Sequence, residues 1–445
     1  MLKKQVAVIF AMEAVKCAPS NTPAALEEIL FEPVLHRVAG ACRRAGAEKI
    51  CVVTDCQTGL LHNVLEDDIE IIFLDQPFTL SSLLHAEAFL QRHENADAVL
   101  LNGDTPFIEA ALLKDALLQH RNEQNTATLI TAQAADAEKS RRIVGSTACP
   151  EISGEICGGW FDVRTLLSAV VQAEECGCRD EAAFSNMILG LFQRAERTGV
   201  FSSPSPHAAL RPTSLRRLSE LNETARKSRL FELMDMGVVI PCMDGLIVGQ
   251  NVQIGAGTTL LPGTILRGNT KIGKNCFIGP NSLVEDSTVA DHSVLNAVQC
   301  YYSTVGSHVS VGPFCHIRPN TVVRDGVHIG DFVELKNSDI GQNTHISHLT
   351  YVGDSDVGAR VNFGCGVAVA NYDGVHKYRC TIGDDAFIGC NTNLVAPVNI
   401  GSEGYTAAGS TITEDVPDEA MGIARARQVN KPGYNRLLRR KKDAK

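Results

Sequence analysis

From Leu246 to about Ile412 an aliphatic residue followed by glycine recurs, and no other feature constrains this chain as strongly. Val248-Gly249, Ile254-Gly255, Ile272-Gly273 and Ile278-Gly279 stand at multiples of six. So do Val305-Gly306, Val311-Gly312 and Ile329-Gly330, then Ile382-Gly383, Ile388-Gly389 and Ile400-Gly401. This period predicts a parallel β-helix built of hexapeptide repeats. Each phrase supplies one flat side, with its aliphatic residue pointing inward and a glycine or small polar residue turning the corner; three phrases close a triangular coil. Between Asp286 and Thr304 the glycines thin out, which predicts looser corners there. The passages His348-Leu349-Thr350-Tyr351-Val352-Gly353-Asp354 and Asn371-Tyr372-Asp373-Gly374 have little repeat character, and the chemistry is expected in them.

Residues 1–225 read differently. The apolar runs Val6–Phe10, Ile50–Val53, Ile69–Phe73 and Ala98–Leu101 predict strands, and Pro33–Gly46 and Leu80–His93 carry helical spacing between them. The alternation predicts a doubly wound α/β domain with a mostly parallel sheet and a crevice at the carboxyl ends of its strands. The strand Ala98–Leu101 runs into Asn102-Gly103-Asp104-Thr105-Pro106, where Asp104 is placed to hold a divalent metal against phosphates. Ser214–Met236 reads as one or two linking helices, so that residues 226–245 form a linker, 246–413 the β-helix and 414–445 a tail.

Composition narrows the function classes. With 51 acidic against 41 basic residues the formal charge is -10, which argues against a general nucleic-acid binder. The basic run from Arg436 to Lys442 is either a solvated end or a segment that folds over an anionic ligand. The 15 cysteines lack paired CxxC or histidine spacing; Cys176-Gly177-Cys178 is the only close pair, and free thiols in a reducing cytoplasm account for them. No segment approaches the ~20 apolar residues of a membrane span.

Taken together, the strand-end GDxP, the linking helix, His348-Leu349-Thr350-Tyr351 and Asn371-Tyr372-Asp373-Gly374 closely resemble the bifunctional bacterial enzymes that make UDP-N-acetylglucosamine. Those enzymes combine N-acetylglucosamine-1-phosphate uridylyltransferase and glucosamine-1-phosphate N-acetyltransferase activities. Ile317-Arg318-Pro319, Phe332-Val333-Glu334-Leu335-Lys336, Val361-Asn362, Leu394-Val395-Ala396-Pro397, Ala407-Ala408-Gly409 and Ile423-Ala424-Arg425 extend the likeness. It implies a left-handed β-helix that acetylates glucosamine 1-phosphate from acetyl-CoA, in a homotrimer with the site between subunits. A neutral amine attacking a thioester must lose a proton near pH 7, and histidine suits that task. The resemblance makes His348 this base; His345 has no such support. It assigns the phosphate and sugar to Arg318, Lys336, Tyr351, Asn362 and Lys377, and acetyl-CoA to Cys365, Asn371, Tyr372, Cys390, Ala408 and Arg425. Asn371 is also the expected oxyanion donor. Cys365 and Cys390 stand where alanine and serine are usual, and Cys390 is expected to be a buried, inert thiol.

The N-terminal half departs from the family pattern. Where L-A-A-G-x-G-T-R-M and P-K are usual, this chain has Phe10-Ala11-Met12-Glu13-Ala14-Val15-Lys16-Cys17 and Pro23-Ala24. Glycines that would let backbone amides approach a triphosphate are gone, and Glu13 adds charge of the wrong sign. Ser82-Leu83-Leu84-His85-Ala86 replaces G-T-G-H-A, and Cys157-Gly158-Gly159 replaces N-T-G. The usual metal-binding asparagine has no match around Arg211-Pro212-Thr213-Ser214, which leaves Asp104 alone. The expectation is an acetyltransferase whose uridylyl transfer is lost. Two alternatives stand beside it: a fully bifunctional enzyme, which would need Mg²⁺, and a nucleotide-sensing or partner-binding α/β domain on a trimeric scaffold.

Overall fold

The computed structural model describes residues 3–12, 17, 22–56, 61, 64–74, 80–133, 154–175, 184–436 and 439. The chain divides into two compact units, Met1–Lys227 and Ser228–Lys445, and the division falls inside the helix Leu215–Asp235. Ser214 opens that helix as a cap, its hydroxyl accepting from the amide of Arg217 at 3.2 Å. No described helix is long and apolar enough to cross a membrane.

In the first unit, seven strands form one sheet in the order Glu70–Phe73, Lys49–Thr54, Gln5–Ala11, Asp97–Asn102, Glu155–Asp162, Ala127–Ala132, Thr198–Ser202. All neighbours pair in parallel except Glu155–Asp162, which runs antiparallel to both of its neighbours. The central strands are apolar on both faces because helices cover both; Val8, Ile9, Phe10, Leu100 and Leu101 are fully buried. Helix Val34–Ala45 fills the expected segment and stops at Gly46, whose φ of 109° is the left-handed cap that a side chain would strain. The segment expected as a helix over Leu80–His93 is instead a 3-10 helix over Leu80–Ala86 followed by a short α-helix, Glu87–Gln91.

The second unit is a left-handed parallel β-helix. Its three flat sides are sheets of ten, nine and ten strands. Each side stacks one inward aliphatic column: Val248, Leu266, Val284, Cys300 and Ile317 line one, while Ile278, Leu295, Val311, Ile329 and Ile346 line another. Successive coils lie ~4.8 Å apart and are joined strand to strand by parallel backbone hydrogen bonds. Most coils take 17 or 18 residues. Across Asp286–Thr304 the coil takes 16 residues, so the expected loose corners are in fact shorter, and Ala290 and Asn296 stand where the preceding coil has Gly273 and Gly279. Between Asp356 and Thr381 the coil takes 25 residues, and the excess leaves the ladder as a loop at Asn371–Tyr378. Beyond Ile412 the ladder continues through Val416 and Met421–Gly422, which pair with Ile400 and Tyr405–Thr406.

Candidate active site

A column of side chains descends one edge of the β-helix. Strand register places Asp331 against His348 on the next coil, and Asn362 and Phe363 against Phe387 and Ile388 below. Backbone bonds from Gly366 to His348, Asn391 to Cys365 and Gly409 to Cys390 continue that edge, so Asp331, His348, Cys365, Cys390 and Ala408 follow one another, coil by coil. Arg425 meets the foot of the column, where a Cβ on Gly409 would lie 4.0 Å from its Cδ. Cys365 is half-buried and Cys390 exposed. The expected burial of Cys390 fails because Ile388 takes the inward position of that strand, and the chain then turns the corner outward.

Asp331 lies 2.8 Å from Nδ1 of His348. A carboxylate only accepts, so Nδ1 is assigned the proton and donates it, leaving the lone pair on Nε2. The hydrogen bond from His348 holds Asp331 below the usual carboxylate range, which keeps the acceptor ionised at neutral pH. Asp331 was not among the residues expected from the sequence. The signal for it is its place one coil, 17 residues, before His348.

A second group gathers on the neighbouring side. Arg318 bonds backbone to backbone with Leu335, which brings it beside Lys336, and Lys336 pairs in register with Gly353. Lys377 reaches the same place from the extruded loop, which is closed by a bridge between Tyr372 and Lys377. The ammonium of Lys377, then partial burial, push Lys336 below its ordinary value; Arg318 adds to this and Asp354 opposes it. Three cations thus crowd together with incomplete compensation: Lys336 stands 4.0 Å from Asp354, and Arg318 bonds Glu334 at 2.8 Å. Crowded cations of this kind are relieved by a multiply charged anion. Tyr351 enters the space that Gly353 leaves open, since a Cβ there would lie 2.3 Å from the phenol oxygen. Asn362 pairs with His345 on the coil above it.

The loop is held by Asp373, whose carboxylate accepts from the amides of Val375 at 2.7 Å and His376 at 2.6 Å. The exposed Tyr372 donates to the carbonyl of Gly374 at 2.6 Å. Asn371 is buried and directs Nδ2 at Asp354, so one of its two amide hydrogens is committed there.

In the α/β unit a cavity of about 410 Å³ lies at the carboxyl ends of the strands, lined by Asn102, Thr105, Glu155, Phe184, Asn186 and Arg211 among others. The expectation that Asp104 holds a metal meets a different partner. Nε of Arg211 lies 2.8 Å from both carboxylate oxygens, and Nη2 bonds one of them as well. Among the described residues no group of three or more His, Cys, Asp or Glu side chains is arranged to hold a metal. With both oxygens of its carboxylate met by the guanidinium, Asp104 is not open to a divalent cation in this arrangement. Ala24 and Leu83 are fully buried, and burial pushes the Cys157 thiol up to about 12. Glu13, Lys16 and Cys176-Gly177-Cys178 lie outside the described residues.

Comparison with known proteins bears on both units. The bacterial transferase hexapeptide model, of six repeats, matches residues 245–286 and 302–337, and the MobA-like NTP transferase domain matches 23–235. Fold and site thus define a hexapeptide-repeat transferase joined to a nucleotidyltransferase-like domain. The bifunctional protein GlmU of Acetivibrio thermocellus is 33% identical over 460 residues, covering 98% of this chain and 99% of that one. GlmU of Geobacillus sp. strain WCH70 is 34% identical over 462 residues, covering 99% and 100%. The chain belongs to the bifunctional GlmU family.

Proposed function

We propose that this chain transfers acetyl from acetyl-CoA to the amino group of glucosamine 1-phosphate, as a cytoplasmic step toward UDP-N-acetylglucosamine. Nε2 of His348 takes the proton from the sugar amine as its nitrogen attacks the thioester carbonyl. The C–S bond then breaks, and the departing CoA thiolate takes that proton from Nε2, which returns His348 to its neutral form. Asp331 holds the imidazole in the required tautomer and steadies the imidazolium. Arg318, Lys336 and Lys377 clamp the phosphate dianion, with Tyr351 and Asn362 on the sugar. Asn371, through its remaining amide hydrogen, and nearby backbone amides steady the oxyanion. Cys365, Cys390, Ala408 and Arg425 line the path of CoA, with Asn371 and Tyr372 at its side. The observation that carries this reading is the pairing of His348 with Asp331 at the head of that column. Thiol release from acetyl-CoA upon addition of glucosamine 1-phosphate tests it: release is expected in the wild type and should collapse in His348→Ala, and an undiminished rate in that variant removes the assigned base.

A homotrimer is part of this proposal. Phe314, Phe332 and Leu349 follow one another along the corner beside His348, and they are 63%, 54% and 58% exposed. Their φ angles of 60°, 58° and 47° are ones that large side chains rarely adopt, and the two phenyl rings stack at 5.5 Å. An apolar ladder kept in water at strained corners fits burial against a second copy. Phe332→Glu should lower the mass seen by light scattering, and acetyl transfer should fall with it.

In the α/β unit the proposal is that uridylyl transfer is lost. A second reading, the complete bifunctional enzyme, is favoured by the nucleotidyltransferase match over residues 23–235. Pyrophosphate release from UTP and N-acetylglucosamine 1-phosphate with Mg²⁺ separates the two.

A further inference from the structure

Asp104 is nearly sealed from solvent, its side chain 4% exposed at the end of strand Asp97–Asn102. A carboxylate so buried requires a counter-charge, and a guanidinium meets it with two parallel hydrogen bonds that no ammonium can copy. Arg211 supplies this from 107 residues away, just before the helix Leu215–Asp235. We infer that Arg211 is a built-in cation standing at Asp104 in place of a divalent metal, at the edge of the cavity that Arg211 lines.

The inference rests on coordination chemistry. A small divalent cation demands near-octahedral oxygen ligands at ~2.1 Å. Both oxygens of Asp104 already accept from Arg211, and Thr105, the neighbouring hydroxyl, donates to the carbonyl of Asn102 at 2.7 Å. Arg211 lines the cavity in front of the buried Asp104, and Glu155 is the only carboxylate among the described residues lining it. A cation entering here would have to displace the guanidinium and then face its positive charge at short range. Arg211 keeps Nη1 outside the pair with Asp104 and is 35% exposed, so it presents one remaining edge to whatever occupies the cavity. The inference concerns this unit alone and stands whether or not the β-helix acetylates.

Mn²⁺ serves as the probe, followed by electron paramagnetic resonance on the full-length protein. Asp104→Asn is expected to leave Mn²⁺ binding unchanged from wild type, because Asp104 holds none. Arg211→Asn frees the carboxylate and should gain one site per chain, which the double variant Arg211→Asn/Asp104→Asn loses. Arg211→Lys, which keeps the charge and guards against misfolding of the asparagine variant, should gain none. A wild-type Mn²⁺ site that Asp104→Asn removes overturns the inference, and so does a folded Arg211→Asn protein that gains no site. Acetyl transfer by the same preparations reads the other unit separately, so failure of one reading is not failure of the other.

Discussion

Replacing Asp331 by asparagine leaves the shape of the site intact while reversing one hydrogen bond. The carboxylate accepts from Nδ1 of His348 at 2.8 Å; a carboxamide turned to donate there leaves the proton on Nε2, where the proposed base needs a lone pair. In buried triads the equivalent exchange costs about 10⁴ in kcat. Here the His348 and Asp331 side chains are 58% and 41% exposed, so water screens the pair. That screening lowers the expected loss from the value of a buried triad to roughly 10²-fold in kcat. The KM for glucosamine 1-phosphate should hold, because Asp331 does not belong to the cation clamp, and Asp331→Glu should recover part of the loss. Thiol release followed while glucosamine 1-phosphate is varied reads both constants. A kcat for Asp331→Asn within about twofold of wild type, against that expected loss, refutes the positioning role. The same bond sets an acid limit. Because Asp331 is held below its ordinary value, its contribution to stability is present above the unfolded carboxylate value of ~3.9 and is lost as pH falls through the lowered one.

Lys336→Ala should raise the KM for glucosamine 1-phosphate about 10- to 100-fold, the worth of a charge-assisted hydrogen bond, while Tm in the absence of substrate does not fall, because the lysine is crowded by Lys377 and Arg318. In the wild type the same crowding makes Lys336 lose its proton below the ordinary ~10.4, so KM should climb as pH is raised through that lowered value; the folded state disfavours the ammonium, so stability rises over the same window. A KM that stays flat as pH is raised up to the ordinary lysine value of ~10.4 would place the phosphate elsewhere. Two glycines separate function from folding. A Cβ at Gly353 meets the phenol end of Tyr351 at 2.3 Å, so Gly353→Ala should displace that ring and raise KM with little change in Tm. A Cβ at Gly330 would lie 1.9 Å from the carbonyl oxygen of Ser347, so Gly330→Ala should cost about 3 kcal/mol or more in denaturant unfolding, and a cost below about 1 kcal/mol would contradict the packing.

Legibility differed between the two halves for a physical reason. In a β-helix each coil touches only its neighbours, so a short repeat carries nearly the whole architecture; Val248, Ile254 and Ile278 already named three inward positions. The α/β strands were legible as well, since runs such as Val6–Phe10 and Ala98–Leu101 are buried on both faces and carry no alternation to mislead. What escaped depended on counting residues around corners. The coil at Asp286–Thr304 lost residues instead of loosening, and Cys390 faces outward because it follows the inward Ile388 around a corner.

By itself, then, the sequence determined the coil, its threefold sides, the alternating first unit and the residue types suited to the chemistry. Tertiary structure decided which of them meet. Asp331 reaches His348 because one coil returns the chain to the same edge after 17 residues, and Lys377 reaches Lys336 because a 25-residue coil extrudes a loop. Arg211 reaches Asp104 across 107 residues, a contact that no local pattern encodes. Hydrogen bonds and charge act over a few ångströms, whatever the distance along the chain, so the partners of a site are set by the fold that brings them together.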